Sequence, residues 1–177
     1  MHKRSLLGAL ALTAAFLSCS APSQRSGLTA QLDGPPVKTL QLLKGEAVGG
    51  PQQPLSLQLQ AGGMAGIRQF EFTVALEPPE AFDLNSISFA PSKPFITVGP
   101  GVEVTPEKNL RAIGIYLDAA GYSGDGGLGT LTVKTSSSFS SSTQGRARIL
   151  RFSAGPSSKE RDTYTEQQLN LSLNVGP

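Results

Sequence analysis

Residues 66–78 read GIRQFEFTVALEP, and apolar and polar side chains alternate along them. In an extended chain, successive side chains point to opposite sides. One side is formed by Phe70, Phe72, Val74 and Leu76, and the residues between them form the other. A period of two is typical of a strand that is buried on one side. The stretch therefore predicts a core strand whose second side faces water.

Short segments of the same kind follow one another from Val37 onward, and glycine pairs and prolines separate them. No window of twelve residues in this part of the chain shows a helical period. We predict an all-β chain that folds as a single antiparallel β-sandwich of about nine strands with its own core. The serine-rich stretch 135–143 is interpreted as a mobile connection. The other predicted strands cover residues 37–43, 55–60, 86–90, 110–117, 128–134, 146–152 and 168–175.

The N-terminal region has the organisation of a bacterial signal peptide. Lys3 and Arg4 precede an uncharged apolar run at residues 6–17. At about 1.5 Å per residue this run is too short to span a bilayer core of roughly 30 Å. The segment that ends in Cys19, the single cysteine, reads FLSC and resembles the lipobox, whose cysteine receives a diacylglycerol before cleavage at its N-terminal side. The alternative is an ordinary secretory signal with an incidental cysteine.

The lipobox resemblance divides the chain into three parts. We expect a lipoprotein signal peptide at 1–18, a lipidated N-terminus and flexible tether at 19–36, and the sandwich domain at 37–177. The mature protein is then exported and held at the membrane of the cell envelope by its lipid anchor. The residue after the cysteine is Ser20 and not an aspartate, which favours the outer membrane in a host with two membranes.

The charge balance disfavours nucleic acid as a partner. The full chain has 15 basic and 13 acidic residues, and cleavage would remove Lys3 and Arg4, leaving 13 of each sign. Nucleic-acid binding depends on an excess of basic contacts to phosphate, which this composition lacks. Arg146, Arg148 and Arg151 lie on one predicted strand and are interpreted as a solvated strand face.

The side chains also restrict the chemistry of the mature chain. It contains no histidine, and its one thiol, on Cys19, would be a thioether. These facts exclude Ser-His-Asp and Cys-His catalysis and the usual histidine and cysteine zinc sites. Glu77 and Glu80 flank two prolines in a predicted loop, and Asp118 and Asp125 lack the dense acids of a calcium loop. We expect no enzyme, no cofactor and no metal site.

Three segments together resemble the cohesin modules. Residues 66–78 are similar to a cohesin strand that begins with Gly-Ile and ends in Tyr-Asp-Pro, although the tyrosine is missing here. DGGLGTLTVK at 125–134 and LNLSLNVG at 169–176 are similar to two further cohesin strands, in the same order and at fitting spacing. The resemblance implies a nine-stranded jelly-roll sandwich. It also implies non-catalytic binding, usually of a calcium-loaded dockerin module, through one flat sheet face.

The resemblance points to four contact residues. Gln69 and Glu71 occupy positions that face the partner in cohesins, and Thr73 shares their side of the strand. Arg111 lies on the strand at 110–117, which pairs beside this one in the family. We expect these four side chains to form an exposed contact patch for a dockerin-like protein partner. The alternative interpretation is a solvated sheet face without a function.

A carbohydrate-binding lipoprotein is the second function class, with a polysaccharide as partner. Sandwiches that bind polysaccharides usually present a planar row of aromatic rings. The chain has no tryptophan and three tyrosines, and Tyr122 and Tyr164 fall in predicted loops. The sequence therefore favours a protein partner over a crystalline polysaccharide.

Overall fold

The computed structural model of the chain describes residues 27–176. Within them the backbone forms eleven strands, one turn of 3-10 helix at Pro79–Ala81 and one turn of α-helix, α1, at Glu166–Leu169. The strands are β1 (Gly27–Gln31), β2 (Thr39–Lys44), β3 (Pro54–Ile67), β4 (Gln69–Glu77), β5 (Phe82–Pro91), β6 (Val102–Val104), β7 (Leu110–Ile115), β8 (Tyr122–Thr135), β9 (Arg146–Gly155), β10 (Asp162–Thr165) and β11 (Ser172–Asn174).

The strands form two antiparallel sheets that pack face to face. One sheet has the strand order β1-β2-β3-β8-β5. The other has the order β10-β9-β4-β7-β6, and β11 pairs with β9. The eight strands predicted from the sequence correspond to β2–β5, β7–β9 and β11, and the structure adds β1, β6 and β10. This all-β jelly-roll sandwich confirms the predicted fold class.

The core between the two sheets is built from the side of β4 that the sequence indicated. Phe70, Phe72, Val74 and Leu76 are at most 2% exposed. The ring of Phe72 packs edge-on against Phe89 of the opposite sheet, with 5.4 Å between ring centroids. Full burial of one such side chain contributes about 1.5–3 kcal/mol. The predicted inward side of this strand is confirmed, whereas on the side predicted to face water Glu71 and Ala75 are also buried.

The sandwich begins before the predicted boundary at Val37. Strand β1 pairs along β2 from Gly27 opposite Leu43 to Gln31 opposite Thr39. Ala30 is buried in the core, because residues of alternate parity on β1 point inward. The predicted flexible tether at 19–36 is therefore wrong for residues 27–36, which belong to the fold. Residues 1–26, including the predicted signal peptide and Cys19, lie outside the described residues.

The end of the chain differs from the predicted strand at 168–175. The segment before β11 winds into α1, where the backbone amide of Thr165 donates to the side chain of Gln168 over 2.9 Å. Asn170 ends the turn in the left-handed conformation, with φ at 45°. The apolar residues of this segment are buried as the alternation suggested, but α1 takes residues 168–169 and the strand begins only at Ser172. No helix within residues 27–176 is long and apolar enough to cross a bilayer.

Two further expectations are corrected. The serine-rich connection at 135–143 is anchored, because Phe139 is 2% exposed and its ring centroid lies 5.9 Å from that of Phe82. Tyr122 and Tyr164 lie in β8 and β10 rather than in loops, and Tyr164 is buried against Phe152.

Candidate functional site

The outward side chains of β9, β4, β7 and β6 form one flat surface, which we call the arginine face. In the sheet, Thr73 lies opposite Arg111 on β7 and Arg151 on β9. All four predicted contact residues are brought together here, and β7 pairs beside β4 as expected. The members of the arginine face are Arg151, Ser153, Gln69, Glu71, Thr73, Arg111, Ile113, Ile115 and Glu103.

Glu71 is buried under two arginines, contrary to the exposed position predicted for it. The residue is 5% exposed. Its Oε2 atom accepts hydrogen bonds from Nη2 of Arg111 and Nη1 of Arg161, each 2.9 Å long. Arg111 also donates from Nη1 to Oε1 of Glu103 over 3.0 Å. The carboxylate thus fixes two guanidinium groups on the surface and is itself withdrawn from direct contact with a partner.

The two arginines keep this buried carboxylate charged. Burial alone would raise the pKa of Glu71, since desolvation disfavours the charged form. The hydrogen bonds and positive charges of Arg111 and Arg161 outweigh burial, so the pKa of Glu71 lies below its ordinary value. Glu71 is therefore a carboxylate at neutral pH and has no proton to exchange there.

An apolar groove lies beside this ion-pair network. Ile113 and Ile115 point outward from β7 and are half-buried. Together with Val98, Pro100 and neighbouring residues they line a groove of about 280 Å³, with Arg111 and Glu103 among its lining residues. Ile96 bridges to Ile115 from the segment before β6 and extends the apolar surface.

Exposed apolar side chains are concentrated at this edge of the molecule. Among the described residues, five large hydrophobic side chains are exposed, and four of them fall between positions 96 and 117: Ile96, Val98, Val104 and Leu117. Val98 is 78% exposed and Leu117 is 70% exposed. Apolar residues scattered singly need no explanation, but a contiguous apolar surface marks an interaction site.

The prediction missed Ile113 and Ile115, although the sequence held a signal for them. Strand β7 reads LRAIGI, which is apolar on both sides from Ala112 onward. Its inner side is filled, because a Cβ at Gly114 would lie 2.2 Å from Cζ of Phe70. Ile113 and Ile115 therefore form an apolar strip on the outer side of β7, next to the edge strand β6. The arginine face is thus graded in polarity, from charged at Arg111 to apolar at Ile115.

The other candidate residues take structural roles. The Nε atom of Arg148 donates to Oε1 of Glu77 over 3.1 Å, and Arg148 also pairs with Glu166, so this arginine is not simply solvated as predicted. Oδ1 of Asp118 accepts from the amide of Ala120, and that of Asp125 accepts from the amide of Gly63. Within residues 27–176, no group of three or more His, Cys, Asp or Glu side chains is placed to hold a metal ion.

Comparison with known proteins gives a match in structure alone. No protein-family model and no curated protein matches the chain. Among solved structures, the cohesin module of a family 33 glycoside hydrolase from Clostridium perfringens superposes with a TM-score of 0.52 at 17% identity, over 77% of this chain and 93% of that module. The domain has a cohesin-like fold.

Two other cohesins are similar to this cohesin-like domain at lower scores. The sixth cohesin of scaffoldin B from Acetivibrio cellulolyticus, solved in complex with a Cel5 dockerin, gives a TM-score of 0.43 at 15% identity, over 75% of this chain and 88% of that one. A non-cellulosomal cohesin from Archaeoglobus fulgidus gives 0.38 at 13% identity, over 75% and 81%. Both scores lie below 0.5, so the fold assignment follows from the Clostridium perfringens module, and it confirms the resemblance seen in the three segments.

Proposed function

We propose that the cohesin-like domain is a non-catalytic protein-binding module that captures its partner on the arginine face. The observation that supports this most is the apolar groove along Ile113 and Ile115, next to ordered charged groups. Protein interfaces bury a few apolar anchors and arginines within a polar rim. A sheet face that is only solvated has no need of outward isoleucines.

The ion-pair network prepares this surface for binding. Glu71 restrains Arg111 and Arg161 in one arrangement, so less side-chain entropy is lost when a partner docks on them. A standard interface buries about 800 Å² on each partner, which requires a flat region several strands wide. The four strands of the arginine face supply such a region. The partner that we propose is a dockerin-like module, in keeping with the cohesin-like fold.

Calorimetric titration with calcium-loaded dockerin modules encoded in the same genome tests the proposal. We expect at least one of them to bind the full chain with a Kd below about 1 μM. Ile113→Lys places a charge in the groove and should weaken that binding at least about thirtyfold. Thr132→Lys, an outward change on the opposite sheet, serves as the matched control and should leave it unchanged. Failure of every dockerin to bind, or equal effects of the two variants, would contradict the proposal.

We also propose that Cys19 anchors the domain to the cell envelope, with the tether now limited to residues 19–26. The support is the charged N-terminus, the short apolar run and the lipobox-like FLSC segment. Stable anchoring needs at least two acyl chains, and a diacylglycerol supplies both. Mass spectrometry of the mature N-terminus should find the modified cysteine, and Cys19→Ser should shift the protein out of the membrane fraction. An unmodified Cys19 in the mature protein would refute the anchor.

A further inference from the structure

One arginine of the arginine face is left without an ion pair. Arg151 points outward from β9 and is exposed, and within residues 27–176 its guanidinium makes no hydrogen bond or ion pair. Four carboxylates on β4, β6 and α1 are bound by other arginines: Glu71 by Arg111 and Arg161, Glu103 by Arg111, and Glu77 and Glu166 by Arg148. A guanidinium carries five N–H donors and a permanent positive charge. All the donors of Arg151 are therefore available to a partner.

Arg151 lies in a row with a second arginine. Thr73 of β4 stands between Arg151 on β9 and Arg111 on β7 in the register of the sheet. Adjacent strands lie about 4.8 Å apart, so the backbones that carry the two arginines are roughly 10 Å apart. Thr73 is half-buried, and its hydroxyl has no hydrogen-bond partner in the described part of the chain. A group above Thr73 can therefore reach a hydroxyl and two guanidinium groups from three adjacent strands.

A β-bulge turns Arg151 toward this row. Thr73 pairs with Arg151, but the next residue of β4 pairs with Ile149, so Leu150 is an extra residue of β9. The alternation that buries Ile149 would otherwise direct Arg151 inward. The extra residue reverses this and places Arg151 outside and Phe152 in the core. Bulges are over-represented at functional sites, where they re-aim side chains.

The row adjoins the apolar groove. Arg111 and Ile113 both point outward from β7, two residues and roughly 7 Å apart. Arg111 is itself among the residues that line the groove. A partner that docks here therefore meets apolar side chains and an unpaired positive charge on the same few strands.

We propose that the arginine face selects a protein partner that presents an aspartate or glutamate side chain above Thr73, next to an apolar side chain in the groove. This inference rests on the protein-binding function proposed above and specifies the chemistry of the partner. The two oxygens of a carboxylate match the fork of a guanidinium, and such charge-assisted hydrogen bonds are stronger than neutral ones. One unpaired cation in the row needs one carboxylate, whereas a nucleic acid needs a series of free cations along its phosphates.

Arg151 also acts against partners of the wrong charge. A neutral or basic partner that covers the row removes water from Arg151 without supplying an anion, and desolvation of an unpaired charge costs free energy. Discrimination of this kind separates related partners whose apolar contacts are alike. Arg111 discriminates less, because its bound carboxylates stay with it when a partner docks.

Calorimetric titration of the full chain with a dockerin that binds it tests the row by removing its charge. Arg151→Gln should weaken binding at least about tenfold, since a hydrogen bond to a charged group is worth a factor of about ten or more. Arg146→Gln is the matched control, because Arg146 is also exposed on β9 and has no ion pair within residues 27–176, but stands opposite Glu77 at the end of the strand. This control should change the affinity less than about twofold.

A second measurement does not depend on any dockerin. The ¹⁵N-labelled full chain is titrated with the capped dipeptide acetyl-Leu-Glu-amide and, separately, with its uncharged counterpart acetyl-Leu-Gln-amide. We expect the acidic dipeptide to shift the Nε–Hε resonance of Arg151 and the backbone amide of Thr73, with a smaller effect on Arg146. The uncharged dipeptide should leave Arg151 unchanged, and Arg151→Gln should abolish the shift at Thr73.

The two measurements separate failure of this inference from failure of the proposed function. If a dockerin binds and Arg151→Gln weakens its binding no more than Arg146→Gln, selection of an acidic partner is refuted while protein binding stands. If no dockerin binds, the function proposed above fails, and the dipeptides decide: a response of Arg151 to the acidic dipeptide alone supports the site. No response of Arg151, equal responses to both dipeptides, or equal responses of Arg151 and Arg146 then overturn it.

Discussion

Replacing Glu71 by alanine should destabilise the domain strongly, because Glu71 is the buried centre of the arginine face. The substitution removes two charge-assisted hydrogen bonds, from Arg111 and from Arg161. Each bond of this kind contributes about 1.5–3 kcal/mol, and loss of one partner of a buried ion pair costs about 3–5 kcal/mol. The arginines left behind respond differently to the loss.

The side chain of Arg111 is 38% exposed and, in Glu71→Ala, keeps its ion pair with Glu103. Water and Glu103 therefore replace part of the interaction that Arg111 loses with Glu71. The side chain of Arg161 is 19% exposed, and within residues 27–176 its ion pair is with Glu71 alone. We therefore expect Glu71→Ala to lower the free energy of unfolding by about 2–4 kcal/mol. Tm should fall by roughly 5–15 °C for a domain of this size.

Urea unfolding followed by far-UV circular dichroism, with calorimetry for Tm, measures this effect. Glu103→Ala removes the other carboxylate that binds Arg111. Because the Glu103 side chain is 59% exposed, this change should lower the free energy of unfolding by less than about 1 kcal/mol. A double-mutant cycle between Glu71 and Arg161 should give a coupling of at least about 1 kcal/mol. If Glu71→Ala costs no more than Glu103→Ala, the burial and pairing assigned to Glu71 do not hold in solution.

Three further predictions concern β4 and its neighbours. Phe72→Ala should cost about 3–5 kcal/mol in unfolding free energy, while Thr73→Ala on the outer side should be close to neutral; similar losses would contradict the assigned sides. Gly114→Ala should cost about 1–3 kcal/mol, since its Cβ would strike the ring of Phe70, and an unchanged Tm would refute that contact. Folding lowers the pKa of Glu71. The charged carboxylate therefore stabilises the folded domain at pH values above its pKa in the unfolded chain, about 4.3, and this stabilisation is lost as the pH falls through the pKa of the folded state. Parent and Glu71→Gln should therefore converge in stability at acid pH, and a constant difference down to pH 2 would argue against the charged carboxylate.

The sequence predicted the strands whose pattern is local. In β4, the side of each residue follows from a period of two, and burial obeys it at Phe70, Phe72 and Val74. Strand β1 was missed because its few alternating residues adjoin a proline-containing stretch and become a strand only by pairing with β2. Strands β6 and β10 have three and four residues, which is too short for a periodic pattern. They form because they pair with the longer strands β7 and β9.

The candidate site was predictable to the same extent. Strand geometry and the cohesin resemblance placed Gln69, Glu71, Thr73 and Arg111 on one face. The cover over Glu71 was not predictable, because Arg161 is 90 residues away and no local pattern brings the two together. The burial of a charged side chain depends on residues distant in sequence. The sequence therefore placed Glu71 on the correct side of the sheet but wrongly predicted that it would be exposed to a partner.

Chemical-shift mapping of the backbone amides is the most direct test of the arginine face. The ¹⁵N-labelled protein is titrated with the dockerin that binds it in calorimetry. We expect the largest shifts on β4 and β7, including Thr73 and Ile113, and unchanged amides on β2 and β3. Shifts concentrated instead in the loops at 118–127 or 135–143, or on the outer side of β2 and β3, would contradict the assignment of the protein-binding surface.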